Sequence, residues 1–369
     1  MTHIITSADW HLRNSDSYGV FDHDGVNDFL TYRVSAARQT IQSAIDCGGH
    51  LVIAGDMLDD KVVDSVTMYH ASELVRMMQG TRLAVLLEGN HGYDSKSNAH
   101  SSIAHWKHLA NKNIKIITYP KVIHKDNISY HCIPAVNALE INFAKIVDSL
   151  WCHKKKGNVN ILVIHGPVIG ARFDSGIKSK TGIKMKDIHR ASKKYNYIVC
   201  GDFHRYQMLF DNVWYTGSLI QTSLRDKNQD KGYQIIDLDN DEVKFVKLNG
   251  PEFIELDWEI TKKISPIIRR PHLYKGTLKN SICVIRISGT SSEFNTVSNE
   301  LDSVRESLIE NGSIRVFIDK QTTESKRKKA TISMNMGFQE MIESYVSYKK
   351  RSLPAKKKQV IEKGLFYIR

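Results

Sequence analysis

The chain has 369 residues, enough for two or three domains, and its 41% hydrophobic and 25% charged content is that of an ordinary globular protein. No run approaches the roughly 20 apolar residues of a membrane-spanning helix, Met1–Ile5 enters a strand without a secretory pattern, and the five cysteines are scattered without a C-x-x-C pair, so a cytoplasmic setting without membrane or disulfide framework is expected. The net charge of +12 is uneven: residues 256–369 hold 22 Lys+Arg against 12 Asp+Glu, a net of +10, so a polyanion partner belongs to the last third unless that excess is only a solvated surface.

Met1 to Ser7 predicts a first strand, followed by Asp9-Trp10-His11. Residues 13–32 mix Asp, Ser, Gly and aromatics and predict a long loop; 33–47 predicts a helix closed by Gly48-Gly49. Leu51 to Ala54 is a buried strand running into Gly55-Asp56-Met57-Leu58-Asp59. Helical spacing returns over 65–79, and Leu83 to Leu87 is a further buried strand that runs into Gly89-Asn90-His91. This strand–loop–helix rhythm predicts βαβ units and a mostly parallel sheet.

Shorter strands are expected at 114–118 and 129–133, a helix at 139–151, and a strand at 161–164 ending at His165. A flexible Gly/Ser/Lys loop (170–184) and a basic helix (186–194) precede the strand Tyr197 to Cys200, which ends at Gly201-Asp202-Phe203-His204. Segments 213–218 and 232–237 close the sheet. Beyond about 255 the pattern changes. Strands at 282–287 and 313–318 flanking a helix at 295–310 predict a small α+β domain. A basic linker with Lys326-Arg327-Lys328-Lys329 follows, then two amphipathic helices at 334–350 and after Pro354.

Five loops that follow apparent strands carry metal-capable side chains: Asp9-x-His11, Asp56-x-x-Asp59, Asn90-His91, His165 and Asp202-x-His204. One Asp or His after a strand is usually a cap or a satisfied polar group. Five in this order, each at the carboxyl edge of a parallel sheet, converge on one crevice. Asp56 has an oxygen for each of two cations and is expected to bridge them. Oxygen and imidazole donors without thiolate suit Mn²⁺, Mg²⁺, Fe or Zn, and two such ions suit in-line displacement at phosphorus.

The series resembles the calcineurin-like metallophosphoesterase superfamily, whose pattern is D-x-H, G-D-x-x-D, G-N-H-D/E, H and G-H-x-H. Within it the chain is similar to the SbcD-type DNA nuclease subunits, particularly their tailed-phage form, a likeness that includes Tyr215-Thr216-Gly217-Ser218-Leu219 and Lys231-Gly232. The resemblance implies an α/β fold: a β-sandwich flanked by helices, with a small α+β capping domain and a C-terminal helical pair. The expected divisions are 1–255 for the nuclease domain, 256–319 for the capping domain, 320–333 for the linker and 334–369 for an ATPase-binding segment.

It also implies the ligands. Asp9, His11, Asp56 and His204 would hold one divalent cation, and Asp56, Asn90, His165 and Asp202 the other, with Mn²⁺ first and Mg²⁺ as the alternative. His91 would be the general acid toward the leaving 3′-oxygen or stabilise charge on the phosphate, and Asp59 would orient it or merely cap a helix. The implied activity is a DNA nuclease, a 3′–5′ exonuclease on duplex and an endonuclease on single strands. It would act as a homodimer with an SbcC-type SMC-like ATPase, in the host cytoplasm if viral. The alternatives are a phosphomonoesterase or protein phosphatase on the same scaffold, or a catalytically degenerate scaffold protein.

Two positions depart from the pattern. Asp202 stands where the family has His, and Gly92 where an acidic residue is usual, with Asp94 as a substitute. His100, His105, His108, His189 and His272 carry no pattern and are expected at the surface or in packing; Trp106 and Trp151 are expected in the core. The 178–194 segment is expected either to touch phosphate or to be a solvated face.

Overall fold

The computed structural model describes residues 2–92, 101–108, 113–135, 143–260 and 263–322. Asp94, His100, the linker from 323 onward and both C-terminal helices expected from the sequence lie outside these residues.

Strands β1 (His3–Ser7), β2 (His50–Ile53), β3 (Leu83–Leu87) and β4 (Ile114–Ile117) are successive parallel neighbours. The chain then builds a second sheet from β5 (Lys121–Lys125), β6 (Ile128–Ile133), β7 (Val159–His165), β8 (Tyr197–Gly201), β9 (Gln207–Phe210) and β10 (Val213–Tyr215), in the order β5-β6-β7-β8-β10-β9. It returns to the first sheet with β11 (Gly232–Asp237), antiparallel to β1, and β12 (Glu242–Lys247) at the edge. The single mostly parallel sheet expected from the strand–helix rhythm is therefore two sheets, and 213–215 and 232–237 close different ones. A buried strand is apolar on both faces whichever layer it packs against, so the runs do not reveal which sheet they join.

The two sheets pack face to face. Val52, Ala54, Val85 and Ile236 of the first meet Tyr130, Cys132, Val163, Val199 and Trp214 of the second. On the outer face of the first sheet, Ile5, Leu51, Ile53 and Leu86 pack on helices α1 (Asp28–Asp46) and α2 (Ser65–Met77). On the outer face of the second, Leu162, Ile164 and Ile198 pack on α3 (Phe143–Trp151) and α4 (Met185–Ser192). Alternate residues thus serve opposite layers, which is why each strand reads as a continuous apolar run. The result is a two-sheet sandwich flanked by helices on both outer faces. Helix α1 begins at Asp28, not at 33, because the Asn27 side chain accepts from Phe29 N at 3.0 Å and caps it. The expected loop is shorter by that amount. The edge strand β5 is an addition to the strands expected from the sequence.

A third sheet follows, ordered β14-β13-β15-β16: β13 (Glu252–Glu259), β14 (Lys263–Ile264), β15 (Ser281–Gly289) and β16 (Arg315–Thr322). Helix α5 (Ser298–Glu310) crosses between β15 and β16 and buries Leu301 and Leu308 against that sheet. This unit leans on the first layer. Tyr18 packs edge-on against Phe253 at 4.8 Å and Phe317 at 5.2 Å, and Arg315 pairs with Asp28 and donates to Tyr18 O at 2.6 Å. No helix among the described residues is long and apolar enough to cross a membrane.

Candidate metal centre

The crevice forms where the carboxyl ends of β1, β2 and β3 face those of β7 and β8. The loops after β1 and β2 run on side by side: Asp9 N donates to Gly55 O at 3.1 Å, His11 N to Asp56 O at 3.0 Å and Leu12 N to Met57 O at 3.0 Å. This extension turns the side chains out of the ladder at a cost in backbone conformation. Asp9, His11, Asp56 and Asp202 have φ of +53°, +43°, +47° and +103°. The other described non-glycine residues with positive φ are all Asp or Asn, types that visit the left-handed region cheaply. Asp202, at +103°, lies farthest from the left-handed well, and such strain is a pointer to function.

Close approach explains the glycines. Gly55 has φ +103°, and a Cβ on it would lie 2.0 Å from His165 Nδ1. A Cβ on Gly89 would lie 1.9 Å from Asp56 Oδ1.

The structure brings together all nine residues singled out in the sequence. Asp56 Oδ2 lies 3.2 Å from His165 Nε2 and 3.9 Å from His11 Nε2, so its carboxylate stands between the two rings. Its Oδ1 accepts from His91 N at 3.0 Å. Asn90 lies 3.1 Å from both His165 Nε2 and Asp202 Oδ1. Asp202 N donates across the sheets to both Asp9 oxygens, at 3.1 and 3.2 Å. His204 Nε2 faces His11 Nε2 at 2.9 Å. Asp9, His11 and His204 offer ligand atoms within 4.8 Å of one another, and so do Asp9, Asp56 and His165. Asp9 thus reaches both sets of donors.

Two rings are oriented by what holds their Nδ1. His165 Nδ1 donates to Ala54 O at 2.7 Å, which leaves Nε2 toward Asp56. His11 Nδ1 sits 2.6 Å from Asp59 Oδ1, which leaves Nε2 toward His204. Asp59 serves a second imidazole: His91 Nδ1 is 3.1 Å from the same oxygen and 2.9 Å from the Asp59 carbonyl.

The electrostatics show a cluster short of positive charge. Burial drives Asp9 up to about 7, with Asp56 and Asp202 adding to it and His165 and His11 opposing. Burial also raises Asp202. Against the upward push of burial, His165 holds Asp56 below the usual carboxylate range, and His11 and His91 do the same for Asp59. His91 rises to about 9, chiefly through its hydrogen bond to Asp59. His165 rises to about 10, because Asp56 outweighs its burial. His204 falls to about 3 through burial and the facing His11.

Divalent cations fit these donors. The donors are oxygen and imidazole without thiolate, which suits Mn²⁺, Mg²⁺, Fe or Zn. Two ligands about 2.1 Å from one ion and at right angles lie about 3 Å apart, close to the 2.9 Å between the facing His11 and His204 nitrogens.

Several contributors are charged residues that the sequence alone does not mark. Glu88, at the end of β3, is 2% exposed, and burial followed by Asp56 pushes its carboxyl up to about 8. A Cβ on Gly92 would lie 2.7 Å from Glu88 Oε1 and 2.2 Å from Ser102 Oγ. The space that an acidic residue at 92 would need is thus taken by the Glu88 carboxyl. Lys231 Nζ donates to His204 O and to Asp226 Oδ1, both at 2.7 Å, and Asp174 Oδ2 stands 3.7 Å from His204 Nδ1. Asp174 brings the 170–184 loop to the crevice, while Lys178 and Lys180 on that loop are exposed. Neither Glu88 nor Asp174 carries a signal in the sequence that separates it from a solvated carboxylate. Away from the crevice, His105 stacks on the buried Trp106 and His189 packs on Phe210.

No family model matches the chain. It is 21% identical over 287 residues to the SbcD component of the nuclease SbcCD of Staphylococcus epidermidis, covering 69% of this chain and 73% of that one. It is 23% identical over 311 residues to Exonuclease subunit 1 of Enterobacteria phage T4, covering 83% and 82%. A dimetal phosphatase from Danio rerio aligns in structure at a TM-score of 0.40 and 10% identity, over 63% of this chain and 91% of that one.

Proposed function

From a chain with the metallophosphoesterase sandwich that resembles SbcD-type nucleases, we propose a metal-dependent phosphodiesterase that cuts DNA. The observation that carries this is the Asp56 carboxylate standing between His11 and His165, with donors from both sheets around it. Asp9, His11, Asp56 and His204 would hold one cation, and Asp56, Asn90, His165 and Asp202 the other. Bound Mn²⁺, or Mg²⁺, would supply Lewis acidity and neutralise charge on the phosphate.

The chain's own residues do the rest. His91 is half-exposed at the lip of the crevice, where a substrate can reach it. Its hydrogen bond to Asp59 favours the protonated ring, from which it can give a proton to the leaving 3′-oxygen. Asp59 holds its Nδ1, so Nε2 is the nitrogen left for the leaving group. The buried Asp9, Asp56 and His165 keep bulk water from the floor of the crevice.

We assign residues 1–255 to the nuclease body and 256–319 to a capping unit against DNA, with the sheet of that unit beginning earlier, at Glu252 of β13, and ending later, at Thr322 of β16. Residues 320–333 would be a basic linker, and 334–369 would hold an SbcC-type ATPase. The expected action is 3′–5′ on duplex ends and endonucleolytic on single strands, by a homodimer. Linear duplex DNA and a chromogenic phosphate monoester, each with Mn²⁺, discriminate the readings. DNA cleavage that falls by about 10²- to 10⁴-fold in His91→Ser supports the proposal. Equal cleavage by wild type and His91→Ser points to a degenerate scaffold carrying a contaminant, and turnover of the monoester alone points to a phosphatase. Removing 334–369 is expected to spare basal Mn²⁺-dependent cleavage and abolish co-purification with the ATPase.

A further inference from the structure

We infer that Arg13 is a positioning residue of this centre, acting through Asp59 on His11 and His91; the inference rests on the proposed function. The two oxygens of Asp59 divide their work. Oδ1 takes both imidazoles, at 2.6 Å from His11 Nδ1 and 3.1 Å from His91 Nδ1. Oδ2 takes Arg13 Nη1 at 2.6 Å. A carboxylate held on one oxygen alone swings about its Cβ–Cγ bond, and a swing here would release His11 and leave His91 on the Asp59 carbonyl alone. The guanidinium on the opposite oxygen stops it.

Arg13 is itself braced. Its Nη2 lies 3.4 Å from Asp16 Oδ2, and that same oxygen accepts from Arg33 Nη2 at 2.8 Å. Asp16 and Arg33 are buried, and Asp16 Oδ1 accepts from Tyr18 N at 3.0 Å, so this end of the chain of contacts is fixed in the fold. A planar fork that always carries its charge can span two carboxylates in one geometry, whereas a lysine ammonium offers one point of contact. Arg13 is also 38% exposed, so replacing it opens no core cavity and the variant is expected to fold.

The test uses full-length protein as wild type, Arg13→Ala, Arg13→Lys, Asp59→Asn and the Arg13→Ala/Asp59→Asn double variant. The readouts are Mn²⁺ binding by calorimetry, kcat and KM on duplex DNA, and thermal melting. Removing a partner behind a metal ligand costs about 10- to 100-fold in affinity or activity. Arg13→Ala is expected to lose that much in kcat and in Mn²⁺ affinity, with KM within about twofold. Arg13→Lys should recover only part of the loss. Millimolar guanidinium should restore part of kcat to Arg13→Ala and none to Asp59→Asn. The double variant should be no worse than Asp59→Asn alone, since both remove one unit.

Raised KM with unchanged kcat would make Arg13 a DNA contact instead and overturn the inference. Additive losses, or a loss that follows lowered melting without guanidinium rescue, would overturn it too. Wild type that neither binds Mn²⁺ nor cuts DNA sinks the proposed function. Wild type that does both while Arg13→Ala matches it sinks only the clamp.

Discussion

Two ends of the same sandwich hold buried histidines, and they use them differently. At the closed end, His50 gives Nδ1 to Tyr130 Oη at 2.7 Å and Nε2 to Asp126 at 3.0 Å, while Arg82 covers Asp126 at 2.6 Å. His131, beneath α3, likewise has Nδ1 on Leu150 O and Nε2 on Asn160 Oδ1, both at 3.1 Å. Both nitrogens of each ring have a partner within the protein. At the crevice, His165 and His11 have Nδ1 on Ala54 O and Asp59, while Nε2 meets other candidate ligands, Asp56 and Asn90 for His165 and His204 for His11. A packing histidine spends both nitrogens on groups outside the crevice; a crevice histidine spends Nε2 on groups that are themselves candidate ligands. Burial and pairing with Asp are common to both kinds and do not separate them.

The largest effect that could break this contrast comes from Asp56→Asn. Loss of the carboxylate between the two donor sets is expected to remove several kcal/mol of transition-state stabilisation, about a thousandfold or more in kcat. Calorimetry should show Mn²⁺ binding weakened as well. His50→Phe, the matching change at the closed end, should leave Mn²⁺ binding unaltered and lower stability by about 1–3 kcal/mol in urea melts, since it orphans the buried Tyr130 hydroxyl. If His50→Phe altered metal binding as much as Asp56→Asn, the contrast between the two ends would be wrong.

A smaller effect sharpens the crevice itself. Asp202→His is expected to keep Mn²⁺ affinity within about tenfold while shifting preference toward Zn²⁺, because imidazole is the softer donor. Competition between the two ions reads this directly.

A pH effect tests the closed kind of histidine. Burial pushes His131 down to about 4, against about 6.5 in an unfolded chain. The folded protein keeps the ring neutral where the unfolded chain protonates it. Its contribution is therefore whole above about pH 6.5 and is lost as pH falls toward 4, by up to about 3 kcal/mol. In His131→Gln, urea melts at pH 7 and pH 4.5 should differ less than in wild type.

The residues that line the crevice were largely legible in the sequence. Strands buried on both faces write themselves as apolar runs, and several stop at a Gly beside a carboxylate or amide, as at Ile53-Ala54-Gly55-Asp56 and Leu87-Glu88-Gly89-Asn90. The division into two sheets was not legible, because Val163 facing another sheet and Ile164 facing a helix are equally apolar. Nor were Arg13, Asp16 and Arg33, since charges in a mixed polar segment look solvated until the fold closes over them. The start of α1 depended on a single side chain, Asn27, whose capping role is shared by many loop asparagines. Glu88 was hidden by its place, since a carboxylate just past a strand end is usually solvated and only the fold buries this one.

The crevice has one wall from each sheet, and the link from Asp202 N to Asp9 spans the gap between them. Its width is therefore set by what fills the interior, where Trp214 and Tyr130 lie between the layers. A change of bulk there moves one wall against the other and changes the spacing between the candidate ligands of the two sheets without replacing any of them. The geometry of such a crevice can drift through the interior while every residue that lines it stays the same.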